Sequence, residues 1–312
     1  MHKLTSLALI AFSLSACSTL PEPKVSNFYD YQLYSPDARP LTLTALPNKL
    51  IDADVILVGE FHTHPGIHHF QTDLLQRLTA SATQSSKRVA LSMEQFSRES
   101  QPVLNNYLSG QIGEQTLMQN ANAWPNYESD YRPLMELAKT HQIDVIAANA
   151  PKSIVRCVGR QGLDYLDKLS PKQRLNIAKN IETSPSPYKQ KFMASMHHGQ
   201  SDQTEKQFAA QMVWDETMAE SITNHLEQYP NAQVLHIAGR FHIEQGLGTK
   251  ASILNRNPDL NVVVVSPVLE PSTDSHDFQL KVLDLPVRYQ QRKNRNKAYQ
   301  KLSQRHQDLT CL

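Results

Sequence analysis

The stretch VILVGEFHTHPGIHHF, residues 55–70, passes from an apolar strand directly into a cluster of titratable side chains. Its first four residues are apolar without alternation, which is typical of a strand covered on both faces of a parallel sheet. Gly59 then allows the chain to turn closely. Five titratable residues follow within ten positions: Glu60, His62, His64, His68 and His69. One histidine beside a core strand is ordinary, but five such groups at one strand end indicate a binding or catalytic site.

Further apolar, β-branched runs complete a set of predicted core strands. The five runs are DVILVGE (54–60), RVALSME (88–94), DVIAAN (144–149), AQVLHIAG (232–239) and NVVVVSPV (261–268). Helical stretches lie between them, as the crossover connections of parallel strands require. The sequence therefore predicts an α/β fold with a mostly parallel sheet flanked by helices. A helical insertion or lid is expected before the fourth strand, at about 151–229, and a hairpin or edge strands are expected within 28–50.

The N-terminus has the features of a bacterial lipoprotein leader. Residues 1–16 combine a basic start with an apolar run too short to cross a bilayer, and small residues precede Cys17. We therefore expect a signal peptide at 1–16, acylation of Cys17 and a polar, proline-bearing tether at 17–27. Ser18 stands where an aspartate would favour inner-membrane retention, so the outer membrane, facing the periplasm, is the expected location. The alternative is an ordinary signal peptide with a chance cysteine.

Composition argues against one class of partner and leaves the cysteine pairing open. The chain has 31 basic and 30 acidic residues, which argues against nucleic acid as the main partner. Cys157 and Cys311 would lie in an oxidising compartment, where they either pair or stay free. The main domain is expected at 28–286, followed by a basic tail at 287–312. We interpret this tail as a solvated helix or frayed end, and only secondarily as a contact for lipid headgroups.

Polar residues recur where the predicted strands end, and the carboxyl ends of parallel strands meet at one edge of the sheet. We call this set the polar rim: Glu60, His62, Glu94, Asn149, Arg240 and His242, with His69 and Asp215 assigned to the same site. Taken singly, each is more often a turn former or helix cap, but together they indicate a site. Two strand ends also share one pattern, since GEFH (59–62) and GRFH (239–242) both place a histidine three residues after a glycine.

Asp215 is assigned to the rim because of the helix that carries it. Apolar residues such as Met212 and Ala219 recur at helical spacing on either side of it. An aspartate on such a stripe should be buried, and a buried carboxylate needs a cation, a metal or hydrogen-bond donors. It is therefore either part of a structural ion pair or cap, or it orients a basic rim residue, which would be Arg240, His62 or His242.

Several motifs together resemble the ChaN haem-binding lipoproteins, a family of the Tiki, TraB and erythromycin-esterase-like superfamily. They are the leader, LVGEFHTHPGIHHFQTDLL (57–75), MEQF (93–96), YRPLMELAKTHQIDVIAANAP (131–151), AAQMVWDETMAESI (209–222) and HIAGRFHIEQGLGT (236–249). The resemblance implies an iron-regulated, outer-membrane-anchored protein that binds haem and takes part in haem or iron uptake. It also implies haem at a homodimer interface, a tyrosinate ligand to iron, and a receptor or transporter as partner.

Haem needs an apolar slot, an axial ligand and donors for its propionates. Tyr131 is the first candidate for the iron ligand, and Tyr127, in the same predicted loop, is the second. His197 and His198 are expected to donate to the ligand or to the distal face. Each tyrosine is otherwise an ordinary core or surface residue. No CxxCH attachment motif is present in the sequence, so haem would be held non-covalently.

A metal-dependent hydrolase is the alternative function, and enzymatic activity therefore stays open. Glu60, His62, Glu94 and His242 would bind zinc, manganese or cobalt and leave one position for water. Without a metal, Glu60 and a neighbouring histidine would act as base and partner. A structural lipoprotein with a vestigial polar rim is the remaining possibility.

Overall fold

The computed structural model describes residues 25–85, 87–196, 202–304 and 309–312. Several predictions fall outside these ranges: the signal peptide at 1–16, the acylation of Cys17, the tether up to residue 24, and the donor roles of His197 and His198. Within the described ranges, no helix combines the length and the apolar character needed to span a bilayer.

Eight strands of the described chain form one mostly parallel sheet, which confirms the predicted fold class. They are β1 Gln32–Tyr34, β2 Pro40–Leu41, β3 Val55–Glu60, β4 Arg88–Ser97, β5 Asp144–Asn149, β6 Ala232–Gly239, β7 Val262–Val268 and β8 Phe278–Lys281. Their order across the sheet is β2-β1-β8-β7-β3-β6-β4-β5. The strands from β8 to β5 in this order pair in parallel, whereas β1 is antiparallel to both β2 and β8.

The five predicted core strands are β3 to β7, each within a few residues of its predicted range. The predicted edge hairpin is also present, because β1 and β2 pair with Leu33 opposite Leu41. The loosely alternating LTLTAL segment (41–46) is different. Only its first residue is in a strand, and Leu43–Ala45 forms a 3-10 turn.

Helices lie on both faces of the sheet. The described helices are α1 Asn48–Ile51, α2 Pro65–Ser85, α3 Gln101–Leu108, α4 Glu114–Asn120, α5 Arg132–Thr140, α6 Lys152–Gln161, α7 Pro171–Arg174, α8 Pro187–Ser195, α9 Asp202–Gln228, α10 Arg240–Ile243, α11 Thr249–Arg256 and α12 Arg292–Gln304. Short 3-10 turns lie at Arg98–Ser100, Leu163–Lys168 and Glu244–Gly246, and a π-helical turn spans Tyr127–Tyr131.

The continuous apolar runs are explained by two cores, one on each face of the sheet. Ile56 and Val58 of β3 face the core that α2 and α5 cover, whereas Val55 and Leu57 face the core that α9 and α11 cover. Because successive side chains of a strand point to opposite faces, both faces of β3 must be apolar. The absence of alternation in the sequence therefore reports burial on both sides.

The predicted helical region at 151–229 contains α6 to α9 among its described residues. α9 packs on the sheet, and α6 packs on α9 as an outer layer around Ile154, Val158 and Val213. Cys157 of α6 forms a disulfide with Cys311, so the two cysteines pair. The bond fastens the end of the basic tail to this outer layer. The helix α12 lies within the tail, and its described side chains are exposed apart from a half-buried Ala298.

Candidate functional site

The polar rim lies at the carboxyl edge of the sheet, where β3, β4, β5 and β6 end. Glu60 closes β3 directly opposite Gly239, the last residue of β6. Arg240 and His242 follow in the single turn of α10, and Glu94 lies near the end of β4. The two glycine-to-histidine motifs therefore stand side by side, because their strands are parallel neighbours in register.

Glu60 is the buried centre of the site, and its carboxylate is surrounded by donors. Oε1 accepts from Nδ1 of His62 at 2.7 Å, from the hydroxyl of Tyr131 at 2.7 Å and from the amide of Gln95 at 3.1 Å. Oε2 accepts from the amide of Gln71 at 2.9 Å. Burial alone would raise the pKa of Glu60, but the bond from His62 and the nearby His68 lower this pKa to about 2. The carboxylate is thus held in its ionised form near neutral pH and accepts hydrogen bonds at both oxygens.

His62 connects the buried carboxylate of Glu60 to the surface of the site. Its side chain is 42% exposed, and its ring packs edge-on against Trp124 with centroids 5.0 Å apart. Burial lowers the pKa of His62, but the charges of Glu60 and Glu94 outweigh that effect and raise it. The next residue, Thr63, has φ of 74°, a left-handed conformation that is strained for a β-branched residue. Such strain clusters at functional sites.

His242 forms a second histidine–carboxylate pair behind the first. Asp215 is fully buried, as the helical stripe predicts, and its Oδ1 accepts from Nδ1 of His242 at 3.0 Å and from the hydroxyl of Thr249 at 2.8 Å. Its Oδ2 accepts from the hydroxyl of Tyr188 at 2.9 Å and from the amide of Gln211 at 3.1 Å. Of the three basic residues that Asp215 was expected to orient, it therefore contacts His242.

The charges around His242 favour its protonated form. Burial alone would lower the pKa of His242, but Asp215 and Glu94 raise it to about 9. Oε1 of Glu94 lies 3.9 Å from Nε2 of His242, and Oε2 accepts from the backbone N–H of Gly239 at 2.6 Å. A Cβ at position 239 would lie 2.9 Å from Nε2 of His62, so a larger residue there would displace the ring of His62.

The remaining rim residues, Arg240, Asn149 and His69, lie outside the two histidine–carboxylate pairs. Arg240 is half-exposed, forms an ion pair with Glu244 at 3.3 Å and covers the ring of Phe61 at 5.1 Å. The side-chain amide of Asn149 donates to the backbone carbonyl of Glu94 at 2.9 Å, so it joins β5 to β4. His69 points away from the cluster, because its ring nitrogens face the carbonyl oxygen of Tyr29 and the carboxylate of Asp73.

The two candidate tyrosines lie inside the protein. Tyr131 is fully buried, and its hydroxyl donates to Glu60. Burial, reinforced by the charge of Glu60, raises the pKa of Tyr131 far above its ordinary value. Tyr127 is also buried, in the π-helical turn, and burial raises its pKa as well.

An apolar border adjoins His62 and Arg240, since Trp124 packs on the ring of His62 and Phe61 lies under the guanidinium of Arg240. We use this name for the half-buried side chains of Phe61, Trp124, Met196, Phe241 and Leu247. Phe241, Met196 and Leu247 belong to one apolar cluster with α8 and α9, while Phe61 and Trp124 pack on the α2 side. The site thus offers a flat ligand both aromatic contacts and a cation at one edge.

A divalent metal ion does not fit these residues. Among the described residues, no group of three or more histidine, cysteine, aspartate or glutamate side chains is arranged to hold one. Glu60, the first expected ligand, already accepts four hydrogen bonds, three of them at Oε1. The expected zinc, manganese or cobalt site is therefore unsupported by the geometry.

The sequence reasoning missed the neutral partners of the two carboxylates. Gln71, Gln95 and Gln211 donate to them from α2, β4 and α9. Gln95 follows Glu94 within a quoted motif, and Gln211 precedes Asp215 by one helical turn, so both positions carried a weak signal. Nothing in the local sequence distinguishes Gln71.

Comparison with known proteins identifies the family. Residues 46–253 match the family described as haem-binding uptake, Tiki superfamily, ChaN. The chain belongs to this family. A solved structure of ChaN of Campylobacter jejuni with cofacial haem has the same fold, with a TM-score of 0.64 at 17% identity over 81% of this chain and 96% of that one.

Two further similarities are more distant. The protein RETICULATA-RELATED 5 of Arabidopsis thaliana, a chloroplastic protein, is 23% identical over 238 residues. These residues are 72% of this chain but only 32% of that protein, so the ChaN-family chain spans about a third of its relative's length. An erythromycin esterase structure covers 80% of the chain at 11% identity, with a TM-score of 0.42.

Proposed function

We propose that this ChaN-family protein binds haem non-covalently at the polar rim and serves haem or iron uptake. The observation that carries the proposal is the imidazole of His62, which is 42% exposed, oriented by a buried carboxylate and packed against Trp124 of the apolar border. A haem site needs an apolar slot, an axial ligand and cations for the propionates. Phe61, Trp124 and Phe241 would contact the porphyrin faces, and Arg240 would pair with a propionate.

Haem iron would take an axial ligand, and the chain offers two kinds, a tyrosine oxygen and a histidine nitrogen. Tyr131 remains the ligand that the sequence predicts, but its hydroxyl would first have to leave Glu60 and reach the surface. Glu60 occupies only Nδ1 of His62, so Nε2 would become a ligand on loss of its proton. We therefore favour His62 as the axial ligand, with Tyr127, His197 and His198 as the other candidates.

Anchoring and assembly complete the proposal. The leader motif supports acylation of Cys17 and attachment to the outer membrane, facing the periplasm. A homodimer with haem at its interface, and a receptor or transporter that exchanges haem with it, follow from the resemblance to ChaN proteins. Replacement of Cys17 by serine, followed by membrane fractionation, tests the anchor: recovery of the variant in salt-washed outer membranes would show that acylation does not provide it.

Haem binding is tested by titrating the purified protein with hemin and recording the Soret band. Saturable binding is expected, and Arg240→Ala should weaken it about tenfold or more, because a hydrogen bond to a charged group contributes about 1.5–3 kcal/mol. Arg39→Ala, on the distant edge hairpin, removes an exposed arginine without touching the site and is the matched control. A spectral response no greater than that of hemin in buffer would exclude the proposal.

Metal-free hydrolysis is the second candidate, and one observation favours it. His242 is held between Asp215 and Glu94, an arrangement that tunes a histidine for proton transfer. Ester hydrolysis that survives chelator treatment and disappears in His242→Asn would support this activity. Equal rates in the wild-type protein and the variant would remove it.

A further inference from the structure

The two ends of the α/β domain meet at His64. Its ring is fully buried, Nε2 donates to the carbonyl oxygen of Leu283 at 2.9 Å, and its centroid lies 5.9 Å from that of Phe28. Gly66 permits this approach, because a Cβ there would lie 2.9 Å from the carbonyl oxygen of Phe28 and 2.7 Å from that of Asp30. The chain around Phe28, just after the tether, and the chain around Leu283, just before the basic tail, therefore meet at His64. We call this meeting point the junction.

Large apolar side chains are exposed beside the junction. Phe28 and Tyr29 are 37% and 69% exposed, and Val287 and Tyr289 are 70% and 45% exposed. Val287 follows Leu283 by four residues, so covalent geometry keeps it within about 14 Å of the junction. The segments 28–29 and 287–289 thus hold four of the eight exposed large apolar side chains of the described residues. Aromatic rings with a polar atom suit a membrane interface.

The tail that leaves the junction is strongly basic. Residues 285–301 contain no aspartate or glutamate and six cations, which are Arg288, Arg292, Lys293, Arg295, Lys297 and Lys301. All six side chains are exposed. Such a segment attracts an anionic surface, and each lysine or arginine close to an anionic bilayer strengthens binding about fivefold.

The far end of the tail is also fixed to the domain. Cys311 is bonded to Cys157, and the guanidinium of Arg160 donates to the carbonyl oxygen of Leu309 at 2.6 Å. The tail, residues 287–312, is thus fixed to the domain at both ends, and we call it the basic strap. Because its excursions are limited, its cations stay close to the surface of the domain.

The proposed acyl anchor would bring the junction close to lipid. Ser26 is nine positions after Cys17, so an extended tether reaches at most about 30 Å. Lipid headgroups would then be present at a high effective concentration, at which weak contacts suffice.

We infer that the junction and the basic strap form a docking surface for an anionic phospholipid bilayer, an inference that rests on the proposed anchoring at Cys17. Phe61 links this surface to the haem site, since its ring centroid lies 6.5 Å from that of His64. The docking surface therefore adjoins the apolar border, and bound haem lies beside the bilayer.

The test uses the unlipidated chain from Ser18 onward, which contains every described residue, without haem. Cosedimentation is measured with vesicles of phosphatidylglycerol and phosphatidylethanolamine, and with vesicles of phosphatidylcholine. We expect binding to the anionic vesicles only, weakened by salt. The triple variant Arg292→Gln, Lys293→Gln, Arg295→Gln should bind at least tenfold more weakly. The control Lys49→Gln, Lys172→Gln, Lys179→Gln changes net charge equally at exposed positions outside the strap.

Several outcomes would overturn the inference: no preference for anionic vesicles, equal weakening in the two triple variants, or unchanged binding in the strap variant. Absence of vesicle binding would instead favour an anionic protein as the partner of the strap. Because neither acylation nor haem enters this measurement, its failure is distinguishable from failure of the Cys17 or hemin experiments.

Discussion

Nδ1 of His62 donates to Oε1 of Glu60 over 2.7 Å, and this bond connects the surface of the site to the buried end of β3. Tyr131, Gln71 and Gln95 hold the same carboxylate from other directions. Because these donors fix the carboxylate, they also fix the direction in which the imidazole presents Nε2. The imidazole of His62 is therefore held in place by the buried residues behind it.

This relationship predicts which residue the haem iron recognises. His62→Ala should abolish or shift the Soret band of the hemin complex, because it removes the oriented nitrogen. Tyr131→Phe should leave the Soret maximum unchanged, because Glu60 keeps its bonds from His62, Gln71 and Gln95. Absorption and electron paramagnetic resonance spectra of both variants provide the measurement.

His141→Ala is the control for this comparison, since His141 is an exposed histidine at the end of α5, remote from the rim. The opposite pattern, loss of the phenolate-to-iron absorption in Tyr131→Phe with an unchanged His62→Ala spectrum, would establish the ligand that the sequence predicts. Haem binding itself would stand in either case.

Removal of the buried Asp215 should destabilise the fold strongly. Asp215→Ala leaves protonated His242 without its partner and deprives Tyr188 and Thr249 of their acceptor. Breaking a buried charged pair by removing one member costs about 3–5 kcal/mol. Urea denaturation followed by circular dichroism measures the change in the free energy of unfolding.

Glu227→Ala is the matched control on the same helix, because Glu227 is exposed near the end of α9. An exposed substitution of this kind should change the free energy of unfolding by no more than about 0.5 kcal/mol. Similar urea midpoints for the two variants would contradict the role of Asp215 as a buried partner of His242.

The fold was largely predictable because burial on both faces leaves a direct trace in sequence. The apolar runs of β3 and β7 cannot alternate, since each strand faces two cores. The short extended segment at Pro40–Leu41 left a weaker trace, and the turn at Leu43–Ala45 was not anticipated. At the edge of the sheet, few tertiary contacts constrain the chain, so local conformational preferences decide between strand and turn.

The site was predictable only where charge marks it. Glu60, His62, Glu94 and His242 converge as expected, because parallel strands bring their carboxyl ends together. Asn149, by contrast, links two strands, which is the ordinary role of such a residue at a strand end. The glutamine donors from three separate elements depend on tertiary packing, and their uncharged amides leave at most a weak signal in the sequence.

The raised pKa of His242 predicts a loss of stability in alkaline solution. Burial opposes protonation, but Asp215 and Glu94 outweigh it and hold the pKa at about 9, above the ordinary value of about 6.5. The folded state therefore binds this proton more tightly than the unfolded state. The resulting stabilisation is complete below about pH 6.5 and disappears as the pH rises through about 9. Thermal unfolding across this range should show a falling Tm.

His242→Gln isolates this contribution from other titrating groups. The difference in Tm between the wild-type protein and this variant should be largest near neutral and mildly acidic pH and should shrink toward pH 9. His141→Gln, at an exposed histidine, should follow the wild-type profile. A pH-independent difference for His242→Gln would show that its packing, rather than its charge, stabilises the fold.

Gln101 protects the open edge of the sheet and gives the last prediction. β5 is an edge strand, and the amide of Gln101 donates to the carbonyl oxygen of Val145 at 2.8 Å while its oxygen accepts from the N–H of Ala147 at 2.8 Å. The side chain thus replaces a peptide group of the missing neighbour, beside a groove of about 520 Å³ that no rim residue lines. Exposed strand edges promote pairing between chains.

Gln101→Ala should therefore lower the free energy of unfolding by about 1–3 kcal/mol, since it leaves two backbone groups of β5 unpaired. It should also increase light scattering with protein concentration, because the freed edge of β5 can pair with a second chain. Gln111→Ala removes an exposed glutamine just beyond α3 and should change neither quantity. If Gln101→Ala matches this control in both measurements, solvent alone satisfies the edge of β5 and the amide has no protective role.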